Sequence, residues 1–141
     1  MTATSPEIAP ISSIYSYHAH IYFNGPAERE RAAAIREQAA ERFTVQMGRW
    51  RDAPIGPHTQ PMYQIAFDIA LFPSVIPWLM LNRQDLTVFV HPNTDNPRRD
   101  HATHALWMGQ VLPLKLDNLA ESIADDPLEP VVPNTSPSIA A

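Results

Sequence analysis

A chain of 141 residues suits one domain with a core of its own. Apolar residues make up 45% and charged residues 18%, an ordinary globular balance, and no apolar run approaches the roughly 20 residues of a membrane helix. The net charge of -5, with no block of Lys or Arg, argues against a nucleic-acid partner, and the absence of cysteine excludes disulfides, thiolate metal sites and a cysteine nucleophile.

Residues 1–14 are small, polar and proline-containing, and predict a flexible arm. They lack a basic region followed by an apolar stretch, so no secretory signal is expected and the default location is cytoplasmic. Tyr15 to Phe23 reads as a strand, with Tyr17, Ala19, Ile21 and Phe23 on one face and His18, His20 and Tyr22 on the other. Ala27 to Phe43 reads as a helix, entered through Asn24-Gly25-Pro26, with an apolar stripe of Ala32, Ile35, Ala39 and Phe43. Thr44 to Trp50 predicts a second strand.

The proline-stiffened stretch from Arg51 to Pro61 is a loop that carries His58. Met62 to Leu71 predicts a third strand, with Tyr63, Ile65, Phe67 and Ile69 on one face. Ser74 is a candidate cap for a helix over Val75 to Asn82, which would place Pro77 in the first turn. Leu86 to His91 predicts a fourth strand, ended by His91-Pro92-Asn93.

The order of strand, helix, strand, strand, helix, strand is that of an α+β, ferredoxin-like βαββαβ sheet with both helices on one face. Its other face would be bare and must serve as a binding surface or a dimer interface. A helical turn over His101 to Met108, stopped by Gly109, and a fifth strand over Gln110 to Leu116 are expected next. The domain thus spans 15–116, and an acidic, proline-rich tail follows over 117–141, extended or disordered.

The histidines stand out. His18 and His20 project from one strand face about 6.5–7 Å apart, a spacing at which two imidazoles can converge on one first-row metal ion. The motif alone is weak, since two polar side chains on a wetted sheet face look the same. His91 ends the strand expected beside the first, and His58 could close over the same face. His101 and His104 share a helical face; His101 is a candidate general base that Asp100 could orient, and His104 is read as incidental. Asp68 is the best-placed carboxylate, but a mostly histidine site is preferred. Arg83 could bind a substrate carboxylate or be an exposed helix-end cation. Trp50, Trp78 and Trp107 read as packing residues. No phosphate loop or serine-hydrolase elbow is present.

The set Tyr17-His18-Ala19-His20-Ile21-Tyr22-Phe23, Gly56-Pro57-His58, Leu81-Asn82-Arg83, Val90-His91-Pro92-Asn93-Thr94, Asp100-His101 and Ala105-Leu106-Trp107-Met108-Gly109 resembles the DOPA 4,5-dioxygenase family over about residues 15–116. The resemblance implies a ferredoxin-like domain paired as a homodimer, and extradiol cleavage of a catechol by O2 on a non-haem Fe(II); zinc or nickel could stand in for iron in a purified sample. It implies His20, His58 and His91 as metal ligands. His18 would be a fourth ligand or an acid/base group beside His101, and Arg83 would hold the substrate. Two other readings stay open: a metal-free ferredoxin-like module that binds a small molecule, and a zinc-type metalloenzyme on the same histidines.

Overall fold

The first strand, β1 (Ser16–Tyr22), runs through the middle of the sheet because both of its edges are paired. The computed structural model describes residues 6–123 and 128–141. The first five residues of the expected arm and residues 124–127 of the expected tail lie outside these. The remaining elements are α1 (Pro26–Arg42), β2 (Gln46–Met47), β3 (Met62–Asp68), α2 (Phe72–Asn82), β4 (Val88–Asn93), the short α3 (Pro97–Asp100) and β5 (Leu106–Met108). The sheet order is β2-β3-β1-β4-β5, and every pair is antiparallel. The first four strands form the ferredoxin-like βαββαβ arrangement, with β5 added beside β4, so the α+β expectation holds. No helix among the described residues is long and apolar enough to cross a membrane.

Period-two alternation divides the sheet residues between two faces. Ala19, Ile21, Tyr63, Ile65, Phe67, Val88 and Val90 point to the helices and form one cluster with Ala32, Ile35 and Ala39 of α1 and Val75, Ile76 and Leu79 of α2. Each large side chain sealed there contributes about 1.5–3 kcal/mol. Inside this core the Tyr63 hydroxyl donates to the Ala32 carbonyl at 2.7 Å, so its polar end is satisfied.

Several expected elements change in extent. β2 keeps only two residues. Pairing resumes at an isolated bridge between Arg51 and Met62, after Gly48 N–H has donated to the Gln64 carbonyl. β3 ends at Asp68, whose carboxylate caps a 3-10 turn over Ile69–Leu71; Ile69 therefore leaves the sheet and is exposed. α2 begins at Phe72, so Ser74 is not its cap, and Pro77 lies in the second turn. The carbonyl that Pro77 leaves unpaired belongs to exposed Pro73, where water can satisfy it.

β4 continues through Pro92 to Asn93. Proline is tolerated because β5 pairs only Val88 to Val90, and the missing N–H faces past the end of that strand. The expected helical turn over His101 to Met108 is replaced by α3, capped by the Asn96 side chain, followed by turns and then β5. No strand forms over 110–116.

The face expected to be bare is partly covered by the chain itself. Tyr22, Met62 and Phe89 form a small second cluster there with Trp107, Leu112 and Leu114. The tail, expected to be loose, is extended but fastened. Asn134 N–H donates to Val45 O, the Asn134 side chain bonds both Met47 N–H and Met47 O, and Thr135 Oγ1 accepts from Val45 N–H and donates to Phe43 O. Ser138 N–H and Ile139 N–H both donate to Glu41 O at the end of α1.

Candidate metal centre

β1 and β4 are neighbours in a register that sets His18 opposite His91 and His20 opposite Phe89. All of these side chains fall on the face away from the helices. His18, His20 and His91 each offer a ring nitrogen, and the three nitrogens lie within 4.8 Å of one another. Nε2 of His20 and Nε2 of His91 are 3.1 Å apart. Two imidazole nitrogens bound about 2.0–2.1 Å from one first-row ion stand about 3.0–3.4 Å apart, so this separation suits a shared metal.

The tautomers can be read from fixed acceptors. A carbonyl only accepts, so His91 Nδ1–H donates to Pro92 O at 2.9 Å and leaves its Nε2 lone pair free. His101 Nδ1–H likewise donates to Pro97 O at 2.8 Å and frees its Nε2. His20 Nδ1 is buried with no hydrogen-bond partner in the described structure.

Burial keeps the imidazoles neutral. His20, His58 and His91 are all buried. Desolvation, reinforced by the neighbouring histidines, lowers His18 to about 4 and drives His20 and His91 well below the ordinary histidine range. His58 is lowered to about 4 by burial and then by His101. His101 is lowered by burial, against the opposing pulls of the Pro97 hydrogen bond and Asp100. At neutral pH the cluster therefore presents lone pairs rather than positive charge, which is what a cation requires.

His58 reaches the cluster from its loop. Lys115 N–H donates to Pro57 O, and the Thr59 hydroxyl donates to Pro113 O, so the loop is tied to the 113–115 segment on both sides of His58. Its ring centre lies 4.3 Å from that of His20, and its Nδ1 lies 2.6 Å from the buried Tyr22 hydroxyl. His101 closes the group from beyond α3, with its ring centre 4.0 Å from that of His91.

The structure thus brings together His18, His20, His58, His91 and His101. The converging nitrogens are those of His18, His20 and His91; the expected ligands were His20, His58 and His91, with His18 as a fourth ligand or an acid/base group. Asp100 does not hold His101, as had been expected. Its buried carboxylate accepts from Thr94 N–H, the Thr94 hydroxyl and His104 Nδ1 at 2.7–2.9 Å. His104 accordingly belongs to a brace behind the site. Asp68 is exposed and caps a turn. Arg83 is not brought to the histidines; its guanidinium donates to Leu86 O at 2.8 Å and packs beside Gly109.

Tyr22 and Gln64 were not among the expected site residues. Alternation had already placed Tyr22 on the histidine side, and Gln64 is paired across from His20. Gln64 also lines two cavities beside the cluster, one of about 270 Å³ that contains His18 and one of about 210 Å³ that contains His58.

The profile of the Dopa 4,5-dioxygenase family matches residues 17–118. A DOPA 4,5-dioxygenase of Amanita muscaria is 35% identical over 126 residues, which cover 84% of this chain and 55% of that protein. An uncharacterised 21.2 kDa protein of Botryotinia fuckeliana is 32% identical over 122 residues, covering 80% of this chain and 67% of its own length. The chain therefore spans little more than half of the Amanita protein and two thirds of the Botryotinia protein. A crystal structure from Nostoc punctiforme, provisionally assigned as a dioxygenase, superposes with a TM-score of 0.76 at 47% identity, covering 78% of this chain and 95% of that one. With a match across the whole sheet and both helices, the chain belongs to the Dopa 4,5-dioxygenase family.

Proposed function

We propose that the protein is a non-haem Fe(II) dioxygenase that opens catechol rings by extradiol cleavage, with L-DOPA as a candidate substrate. The observation that carries this reading is the convergence of three neutral ring nitrogens, from His18, His20 and His91, on one buried point of the sheet. These three would hold the metal. Bound Fe(II) supplies a redox-active centre at which a catecholate and O2 can exchange electrons.

The protein's own groups orient the substrate and move its protons. His101 presents a bare Nε2, fixed by the Pro97 carbonyl, and accepts a proton from a catechol hydroxyl. His58, steadied by Tyr22 through Nδ1, has Nε2 as its free nitrogen and is a second group that passes a proton. Phe89 and Trp107, stacked at 4.4 Å, form an apolar wall that keeps water from one flank. The geometry favours His18 as a ligand and His58 as an acid/base group because ring nitrogens converge at the former and a tyrosine engages the latter.

The test uses protein purified without a histidine tag, stripped of metal and reloaded anaerobically with Fe(II). Addition of L-DOPA and O2 should give a yellow ring-opened product with matching oxygen uptake, absent from His91→Ala and from the zinc-loaded protein. Iron-loaded protein that consumes no oxygen with any of several catechols would overturn the proposal and leave the zinc-type metalloenzyme reading in its place.

A further inference from the structure

The cavity of about 210 Å³ beside His58 contains a feature that the metal centre does not use. Its walls include Gly48, Arg49, Arg51, Gly56, His58 and Gln64, and no acidic residue lines it. Local packing explains why both arginines face this way. Trp50 packs into the helix side against Phe23 and Tyr63. Asp52 is held through both carboxylate oxygens by Arg29 of α1, whose guanidinium also lies 4.0 Å over the Trp50 ring. With Trp50 and Asp52 drawn toward α1, alternation turns Arg49 and Arg51 to the opposite face.

The register supports this placement. Arg51 bridges Met62, Met62 pairs with Tyr22, and Met62 and Tyr22 pack together on the histidine face. Two strand spacings of about 5 Å separate the Arg51 segment from β1, a gap that an arginine side chain and a short ligand arm close together. The neighbouring acid, Asp52, is already engaged by Arg29. Among the described residues no hydrogen bond or ion pair engages the side chain of Arg49 or Arg51. Gly48 lets this segment lie close against β3, since a Cβ there would stand 3.1 Å from Gln64 O, and the one cavity is lined by both arginines and by His58.

We infer that this cavity is a carboxylate subsite in which Arg51 and Arg49 grip an acidic arm of the catechol, so that the protein selects catechols carrying a short carboxylate chain; the inference rests on the ring-cleavage reading. A guanidinium fork matches a carboxylate in two parallel hydrogen bonds, and the walls set no negative charge against it. The role had been expected of Arg83, which is instead turned to Leu86 O.

The test compares 3-(3,4-dihydroxyphenyl)propanoate with its methyl ester on the Fe(II)-loaded full chain. The acid should be preferred about tenfold or more in kcat/KM. In Arg49→Gln/Arg51→Gln the preference should collapse toward one, through a raised KM for the acid. Arg49→Gln alone, at an exposed position, should lose part of it and keeps the test open if Arg51→Gln misfolds by circular dichroism. Equal use of acid and ester by the parent protein, or undiminished selectivity in a folded variant, would overturn the subsite while leaving ring cleavage standing. If neither compound is cleaved, calorimetric titration of the acid and the ester decides the subsite: tighter binding of the acid that is lost in the variant upholds it, and equal binding overturns it, while the ring-cleavage reading is judged separately by L-DOPA and the other catechols.

Discussion

Replacing Asp100 with alanine removes the acceptor that organises the segment between β4 and β5. The carboxylate is 1% exposed and accepts from Thr94 N–H at 2.7 Å, the Thr94 hydroxyl at 2.8 Å and His104 Nδ1 at 2.9 Å. His104 is partly exposed and can turn to water, so its loss counts for little. The Thr94 hydroxyl can rotate, and it already accepts from Asn96 N–H. The buried Thr94 N–H has no such recourse. An orphaned donor costs about 1–3 kcal/mol, and with the lost hydroxyl bond the change comes to about 3 kcal/mol. For a chain of this size that corresponds to a fall in Tm of about 6–12 °C. Asp100→Asn, which keeps one acceptor oxygen and the side-chain volume, should lose about half as much. Because α3 carries His101 into the site, turnover should fall in Asp100→Ala while metal content stays at the parental level. Calorimetry and elemental analysis on the same samples give both readings. A melting point within about 2 °C of the parent would refute the brace, and loss of metal would show that Asp100 acts on the ligands rather than on His101.

His20→Ala and His91→Ala should lose bound metal on dialysis, measured by elemental analysis. His58→Ala should keep it while kcat drops about 10²–10⁴-fold, as for loss of a general acid/base; loss of metal from His58→Ala would return that residue to the ligand set. The metal-free protein should weaken as pH falls. His18 and His58 titrate at about 4 in the folded state and near 6.5 when unfolded, so the unfolded chain takes up protons first and stability declines from about pH 6.5 to about pH 4. For buried His58 alone the loss is on the order of 3 kcal/mol, and urea unfolding at pH 7.5 and 4.5 measures it; equal midpoints would refute the linkage. Asn134→Ala leaves Met47 N–H and Met47 O without their partner and should cost about 1–2 kcal/mol, with faster amide exchange at Met47; unchanged exchange would mean that the tail does not hold that edge in solution.

The sheet and both long helices were legible because their signals are local and repeated. Alternation around His18 and His20 assigned each residue of β1 to its proper face, and the stripe from Ala32 to Phe43 marked the core side of α1. The segment after β4 was misread because Leu106, Trp107 and Met108 are compatible with helix or strand, and only the free edge of β4 selects the strand. Which histidines converge was not legible. His18 and His58 are distinguished by the depth of one loop and by the 2.6 Å contact to Tyr22, and nothing in local pattern records either. The position of Arg83 was similarly hidden, since a residue just after a helix can face either side, and the Leu86 carbonyl decides it.

The fastened tail has a consequence for association. A two-residue edge strand such as β2 exposes backbone donors and acceptors to which the strand of any other molecule could add. Here Val45 and Met47 are already matched by Asn134 and Thr135 of the same chain. The last residues therefore act as a self-supplied stopper that limits edge-to-edge polymerisation on that side, and a chain cut before Val132 would be expected to stay folded in its core yet gain a tendency to aggregate through β2.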